Sequence, residues 1–370
     1  MIRSSKTSKR KKNLAGAEVS EEAMLSEAHQ LKKLEILLEQ AEEAIDSFSY
    51  EEAISKLTEI LRIDSVHVKS LEMLAGIYTE QLKWSEAQNL LKKCIELSPD
   101  NGYTKYFSMG QLCEGEESVL YYKKGIQIIE KELENAENVD PSKKVTRSSM
   151  LRSLSDAYCS IAELFMTDCC FAENAEGKCY ESIEAAIKAD PSNPEAYQCL
   201  ANFHLVKEQI KEAKDAIEKS LSLWLPQHEA FRNGECDPIT NDFENVIPGY
   251  DSRIKTSKLL IELEMFEEAV KILDGLIEDD DEIVEVWYLL GWTNYLHGDE
   301  YKLNSLYYFN KAKKVAAKTG QEDDDMLSHI NELLEELNAA YPDYCEDEEI
   351  ENEHNSDFSS DSESENEMET

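Results

Sequence analysis

The chain has 370 residues, with 78 acidic against 38 basic side chains and a net charge of −40. That imbalance argues against direct binding of nucleic acid or an anionic membrane by the protein as a whole, and favours a strongly basic partner. No apolar run approaches the ~18–20 residues of a membrane span, and the N-terminus lacks the apolar stretch of a secretion signal. The nine cysteines are scattered with no C-x-x-C pair, as expected of reduced thiols in a nuclear or cytosolic protein.

Residues 1–20 read as a basic, disordered N-terminus. Arg3, Lys6, Lys9, Arg10, Lys11 and Lys12 stand there with no acid among the first twelve residues. Lys9–Lys12 form a compact basic run of the kind import receptors read, so nuclear import competes with a plain solvated tail. A helix is predicted from near Ser20, with Leu31, Leu34, Ile36, Leu37, Leu38, Ala41 and Ile45 at helical spacing. Ala53, Leu57 and Ile60 follow on a second helix. The pair recurs more clearly between Val68 and Asp100. Leu71, Leu74, Ala75 and Tyr78 line one helix face, Ser85 stands as N-cap, Ala87, Leu91 and Cys94 mark the next buried face, and Ser98-Pro99 ends the unit. Ala87, Leu91 and Cys94 lie 34 residues beyond Ala53, Leu57 and Ile60. This unit resembles the tetratricopeptide repeat.

Used as a ruler, it finds further copies. Tyr106, Met109 and Gly110 with Ser118, Tyr122 and Gly125 make a third unit, about four residues short, followed by a long helix through Gln127–Ala136 and a loop at Asn138–Lys144. The fourth is stretched: Leu154, Ala157, Tyr158, Ile161, Ala162 and Phe165, then Cys179, Ile183 and Ala186. The fifth is regular, with Tyr197, Leu200, Ala201 and His204, then Ala213, Ile217 and Ser220; His204 is read as core. Residues 226–249 have no helical period and read as an insertion loop, with Phe231 and Phe243 packing back on the array. Ala269, Leu273 and Leu276 mark the sixth unit; Trp287, Leu290 and Gly291 with Ser305, Phe309 and Ala312 mark the seventh. Residues 322–340 form one more helix, which caps the array. The expectation is an all-α tetratricopeptide repeat superhelix over residues 21–342: about seven helix-turn-helix units plus a capping helix.

Residues 343–370 hold 13 acids and no Lys or Arg, a composition that cannot offset chain entropy, so a disordered acidic tail is expected. Ser360, Ser362 and Ser364 each precede an acid by three residues and are candidates for an acidophilic kinase. Removing the tail's acids and the six N-terminal cations still leaves −33 on residues 13–342. No nucleotide-binding, metalloprotease or nucleophile-elbow motif occurs, so no catalytic residue, cofactor or metal is expected.

The resemblance to tetratricopeptide proteins implies a concave groove lined by the first helix of each unit. At its groove positions stand Glu35, Glu39 and Glu42; Glu72; Phe107 and Gln111; Glu195 and Asn202; and Glu285, Tyr288 and Trp292. The sixth unit is the exception, with Asp251, Ile254, Lys255 and Lys258. Where relatives of this class clamp a carboxylate with Lys, Asn and Arg, this chain has Leu38, Glu42, Met73, Thr104 and Ser108. A basic segment is the expected occupant, with Tyr288 and Trp292 stacking on its arginines. The stretch PGYDSRIKTSKLLIELEMFEEAVKILDGLIEDDDEIVEVWYLLGW (Pro248–Trp292), followed by an acidic tail, resembles the fungal dedicated assembly chaperones of large-subunit ribosomal protein four. That resemblance implies an escort, in nucleus and cytoplasm, that shields the new ribosomal protein's basic rRNA-binding loop until it reaches the pre-ribosome; a monomer is expected. The alternatives are an acidic escort of histones or another basic client, and a general tetratricopeptide scaffold.

Overall fold

A computed structural model describes residues 29–136, 144–234, 247–321 and 323–342. The expectations for Lys9–Lys12, Phe243 and the tail serines Ser360, Ser362 and Ser364 lie outside these residues. The described chain is helical, with no strand, and it divides after Pro191 into two compact units.

In the first unit the helices pair as α1 (29–46) with α2 (Tyr50–Ile63), α3 (Val68–Glu80) with α4 (Trp84–Leu97), α5 (Thr104–Gln111) with α6 (Gly115–Ala136), and α7 (Lys144–Met166) with α8 (Ala175–Ala189). In the second, α9 (Pro194–Val206) pairs with α10 (Ile210–Ser222) and α12 (Tyr250–Glu262) with α13 (Phe266–Asp279). There α14 (Val284–His297) pairs with α15 (Lys302–Thr319), and α16 (Asp324–Ala340) follows. We call the first member of each pair A and the second B. The third unit is short because its A helix is short: α5 has 8 residues where α3 has 13. The predicted long helix is its B helix, running unbroken from Gly115.

Every B helix buries the same three positions. Ala53, Leu57 and Ile60, Ala87, Leu91 and Cys94, and Ala269, Leu273 and Leu276 are essentially sealed from solvent. So are Cys179, Ile183 and Ala186, and Ser305, Phe309 and Ala312. The small first residue lets the partner backbone approach, and each large aliphatic buried there contributes roughly 1.5–3 kcal/mol. Where serine takes an inner position it is hydrogen-bonded, as a buried hydroxyl must be. Ser118 Oγ donates to the Gly110 carbonyl at 2.6 Å, Ser220 Oγ to that of Pro194 at 2.8 Å, and Ser305 Oγ to that of Gly291 at 2.8 Å. Gly291 is glycine because a Cβ would lie 2.6 Å from the Phe309 ring. Gly125 likewise leaves room for Phe107, 2.4 Å from where a Cβ would sit.

The A–B turn is not capped as the sequence implied. Ser85 is exposed inside α4, whose N-cap is Lys83, with no side-chain cap. Instead Leu82 sits in the left-handed region at φ 57°, and Lys83 N donates to the Tyr78 carbonyl five residues back, closing a Schellman-type end. The same device closes α1 at Phe48, α9 at Glu208 and α12 at Glu264. His204 is not core: it is half-exposed and its Nδ1 meets Gln209 Oε1 at 2.7 Å across that turn.

Part of the expected insertion loop is helix. α11 (Leu225–Arg232) starts with Pro226 in its first turn, where a missing N–H costs nothing. Phe231 does not pack back, remaining 45% exposed. His228 and Arg232 do the docking, against α12 and α13. Arg232 makes two hydrogen bonds to Glu278, at 2.7 and 2.5 Å. Buried Arg253 reaches Asp279 at 2.6 Å and faces His228 Nε2 at 3.5 Å. α16 caps its unit: Asp323 accepts from Met326 N at 3.0 Å, and Ile330, Leu333, Leu334 and Leu337 bury against Val284, Leu306 and Phe309.

Candidate functional site

The A helices bring predicted groove residues of neighbouring repeats together, and several of the polar ones already have partners on the next A helix. In the first unit, Lys69 of α3 is ion-paired with Glu42 of α1. Glu72 of α3 accepts from Thr104 Oγ1 of α5 at 3.0 Å and lies 3.9 Å from the ammonium of Lys105. Lys105 is buried; its Nζ donates to the carbonyls of Asn101 and, at 2.9 Å, Gly102. Phe107 is half-buried between Tyr103 and Tyr122, with ring centroids 5.3 and 5.9 Å away.

In the second unit, Gln198 of α9 accepts from Ser252 Oγ at 3.2 Å and Thr256 Oγ1 at 3.0 Å of α12. Lys258 of α12 pairs with Glu285 of α14 at 2.6 Å. Ile254, placed in the groove by sequence, is buried.

The structure therefore corrects the charge count. Three of the acids taken as bait for a basic partner, Glu42, Glu72 and Glu285, already face lysines of the adjacent A helix. The basic sixth unit has a reason, since Lys258 serves Glu285. Exposed Glu35 and Glu39, and half-exposed Glu195, face no cation among the described residues; Gln111 and Asn202 are exposed.

The aromatic end is likewise partly occupied. Tyr288 OH meets His329 Nδ1 of α16 at 2.9 Å, and burial with nearby Asp323 pushes its pKa up. Trp292 stacks on Tyr295 at 5.6 Å with planes 8° apart, and His329 stands edge-on to Trp292 at 5.0 Å. Tyr295 in turn donates to Glu336 at 2.8 Å and carries Lys302 over its ring, 3.1 Å from the centroid. One indole face of Trp292 is thus held by the chain itself. His329, Tyr295 and Glu336 were missed by the repeat ruler because two of them belong to α16, which is outside the repeat.

A feature without a sequence signal is a cup of about 330 Å³ between α6, α7 and α8. Its lining includes Lys123, Tyr158, Phe165 and Lys178, and Tyr158 OH donates to Glu130 at 3.2 Å. Burial and Glu130 push the Tyr158 phenol up to about 12.

No protein-family model matches the chain. A solved structure titled "Assembly Chaperone of RpL4 (Acl4) (Residues 1-338)" shares the fold, with a TM-score of 0.61 and 24% identity over 74% of this chain and 99% of that one. A protein of Emericella nidulans, "Probable assembly chaperone of rpl4", is 28% identical over 307 residues, 78% of this chain and 70% of its own length. One of the same description from Schizosaccharomyces pombe is 34% identical over 291 residues, 73% of this chain and 80% of the relative. Identity at that level over that much of both chains, on the same paired-helix architecture, is shared descent: the chain belongs to the family of the assembly chaperones of rpl4.

Proposed function

We propose that this chain is a dedicated chaperone that binds and shields a newly made, basic ribosomal protein of the large subunit, ribosomal protein four, before its assembly. The 34% identity to the Schizosaccharomyces pombe relative carries the reading. The charge supports it: with −33 on residues 13–342, encounter with a polycation is steered by the whole array. The chain's work is equilibrium binding, with no chemical step. Glu35, Glu39 and Glu195 supply unpaired charge on the A-helix faces. Phe107, Tyr288 and Trp292 supply ring surface, and Gln111 and Asn202 supply amides for backbone groups of an extended segment. We further propose one chain per client, and escort to the nucleus through the Lys9–Lys12 run.

The test is titration of the full chain with recombinant ribosomal protein four over a salt series. Tight binding is expected, weakening as salt screens the charges beyond a Debye length of about 8–10 Å. Glu35→Lys/Glu39→Lys should reduce affinity about tenfold, the loss growing at low salt. Core histones run in parallel as competitor decide the runner-up. If they displace the ribosomal protein at equal concentration, the chain is a general acidic escort.

A further inference from the structure

The A–B turns of the first unit carry a second surface that the groove reading does not use. At the tips of the first two turns, 34 residues apart, stand Phe48 and Leu82, 78% and 68% exposed. Trp84, 48% exposed, is two residues beyond Leu82, and Tyr50 in the matching place packs edge-on to Phe48. The strip runs on along the unit. Gln88 Nε2 donates to the Leu112 carbonyl of the third turn at 2.7 Å, and Gly115 N of that turn donates to Asp168 of the fourth at 3.2 Å. The fourth turn presents Phe171, 99% exposed.

Two observations say what this strip is for. Phe48 and Leu82 hold φ of 55° and 57°, the left-handed region that disfavours bulky side chains and suits glycine. Apolar, exposed and in an unfavourable backbone state, they give their own fold little beyond the edge-on contact of Phe48 with Tyr50. In the second unit the same turn position holds Glu208 and Glu264, so the device itself does not call for an apolar residue. The second observation is charge. Residues 43–52 and 80–89 flank the tips with six acids and one lysine, and Lys83 is engaged with Gln81 at 2.7 Å. An apolar strip with an acidic rim complements a segment that alternates apolar and basic side chains.

We propose that the A–B turn edge of residues 48–171 is a second docking strip, taking a basic segment with apolar side chains from the same client that the groove holds. It rests on the client reading above. Two linked sites on one client would raise its overall affinity by effective concentration.

The experiment uses the full chain and recombinant ribosomal protein four. Phe48→Gly/Leu82→Gly removes the tips while leaving a residue suited to the turn. The melting temperature should hold or rise while client affinity falls about tenfold, with the salt dependence of binding kept, since every acid remains. Glu208→Gly/Glu264→Gly makes the same backbone change in the second unit and should leave affinity unchanged; an equal loss there would overturn the strip. A lower melting temperature for the first pair would show that these side chains pack on their own chain, and would overturn it too. So would unchanged client affinity, or a change confined to self-association by sedimentation. Wild-type chain that fails to bind the ribosomal protein would instead remove the client reading itself, and the strip with it.

Discussion

Gly291 is the tightest test of how the repeat closes. An alanine there adds one methyl group 2.6 Å from Phe309 Cδ1 and Cε1, where ordinary contact begins near 3.4 Å, so the ring must retreat by about 0.8 Å. It has nowhere to go. Phe309 is fully buried among Leu306, Ala312 and Ile330, and the Ser305–Gly291 hydrogen bond pins α14 to α15 at that level. Overpacking of this kind costs about 1–3 kcal/mol. Replacing glycine by alanine inside a helix returns about 1 kcal/mol. Gly291→Ala should therefore destabilise by up to about 2 kcal/mol, read as a lower urea midpoint at constant slope by circular dichroism. Phe309→Leu alone should cost about 1 kcal/mol. The double variant should be less destabilised than the sum by about 1 kcal/mol, because the smaller side chain vacates the space the methyl needs. Additive costs, or a Gly291→Ala chain more stable than the parent, would refute the close-approach argument.

Four other outcomes follow from the same geometry. Burial, reinforced by Arg253 and Arg232, holds His228 below its ordinary 6.5, so it contributes stability above pH 6.5 that is lost as pH falls from there towards its folded value. Wild type should melt lower at pH 5 than at pH 7, and His228→Phe should shrink that difference; equal losses in both would contradict it. Glu278, held below 4.5 by its hydrogen bonds to Arg232, adds a separate loss below pH 4.5 that Arg232→Met should remove in an acid-unfolding series. Glu264→Gly should stabilise by about 0.5 kcal/mol in urea titration, the relief at positive φ exceeding the flexibility added to the unfolded chain. Ile330→Ala should cost about 2–4 kcal/mol, since α16 seals its unit through that residue.

The sequence made the scaffold legible and left the site half-read, for one physical reason. Core positions repeat along the chain, so Ala53, Ala87 and Ala269 could be found by counting. Charges compensate across helices: Glu42 meets Lys69 and Glu285 meets Lys258, the members of each pair 27 residues apart, and a net-charge count does not see such pairs. Helix α11 escaped because eight residues with Pro226, His228 and Arg232 show too little periodicity, and its docking relies largely on the polar contacts of His228 and Arg232. The turn tips escaped because Leu82 at positive φ breaks the rule that would have placed a glycine there.

The lysines that answer Glu42 and Glu285 change what binding means for a polycation. Each carboxylate is already someone's counter-ion, so an incoming arginine displaces a tethered ammonium, and the gain is only the difference between two similar contacts. Under the client reading proposed above, recognition works like ion exchange on a resin loaded with its own counter-ion. It is quick to swap, forgiving of the exact position of the incoming charge, and easily reversed when a stronger polyanion such as RNA competes for the same cargo. Lys69→Ala/Lys258→Ala should strip the resin bare: fold stability should drop by less than about 1 kcal/mol while a basic partner binds more tightly and leaves more slowly.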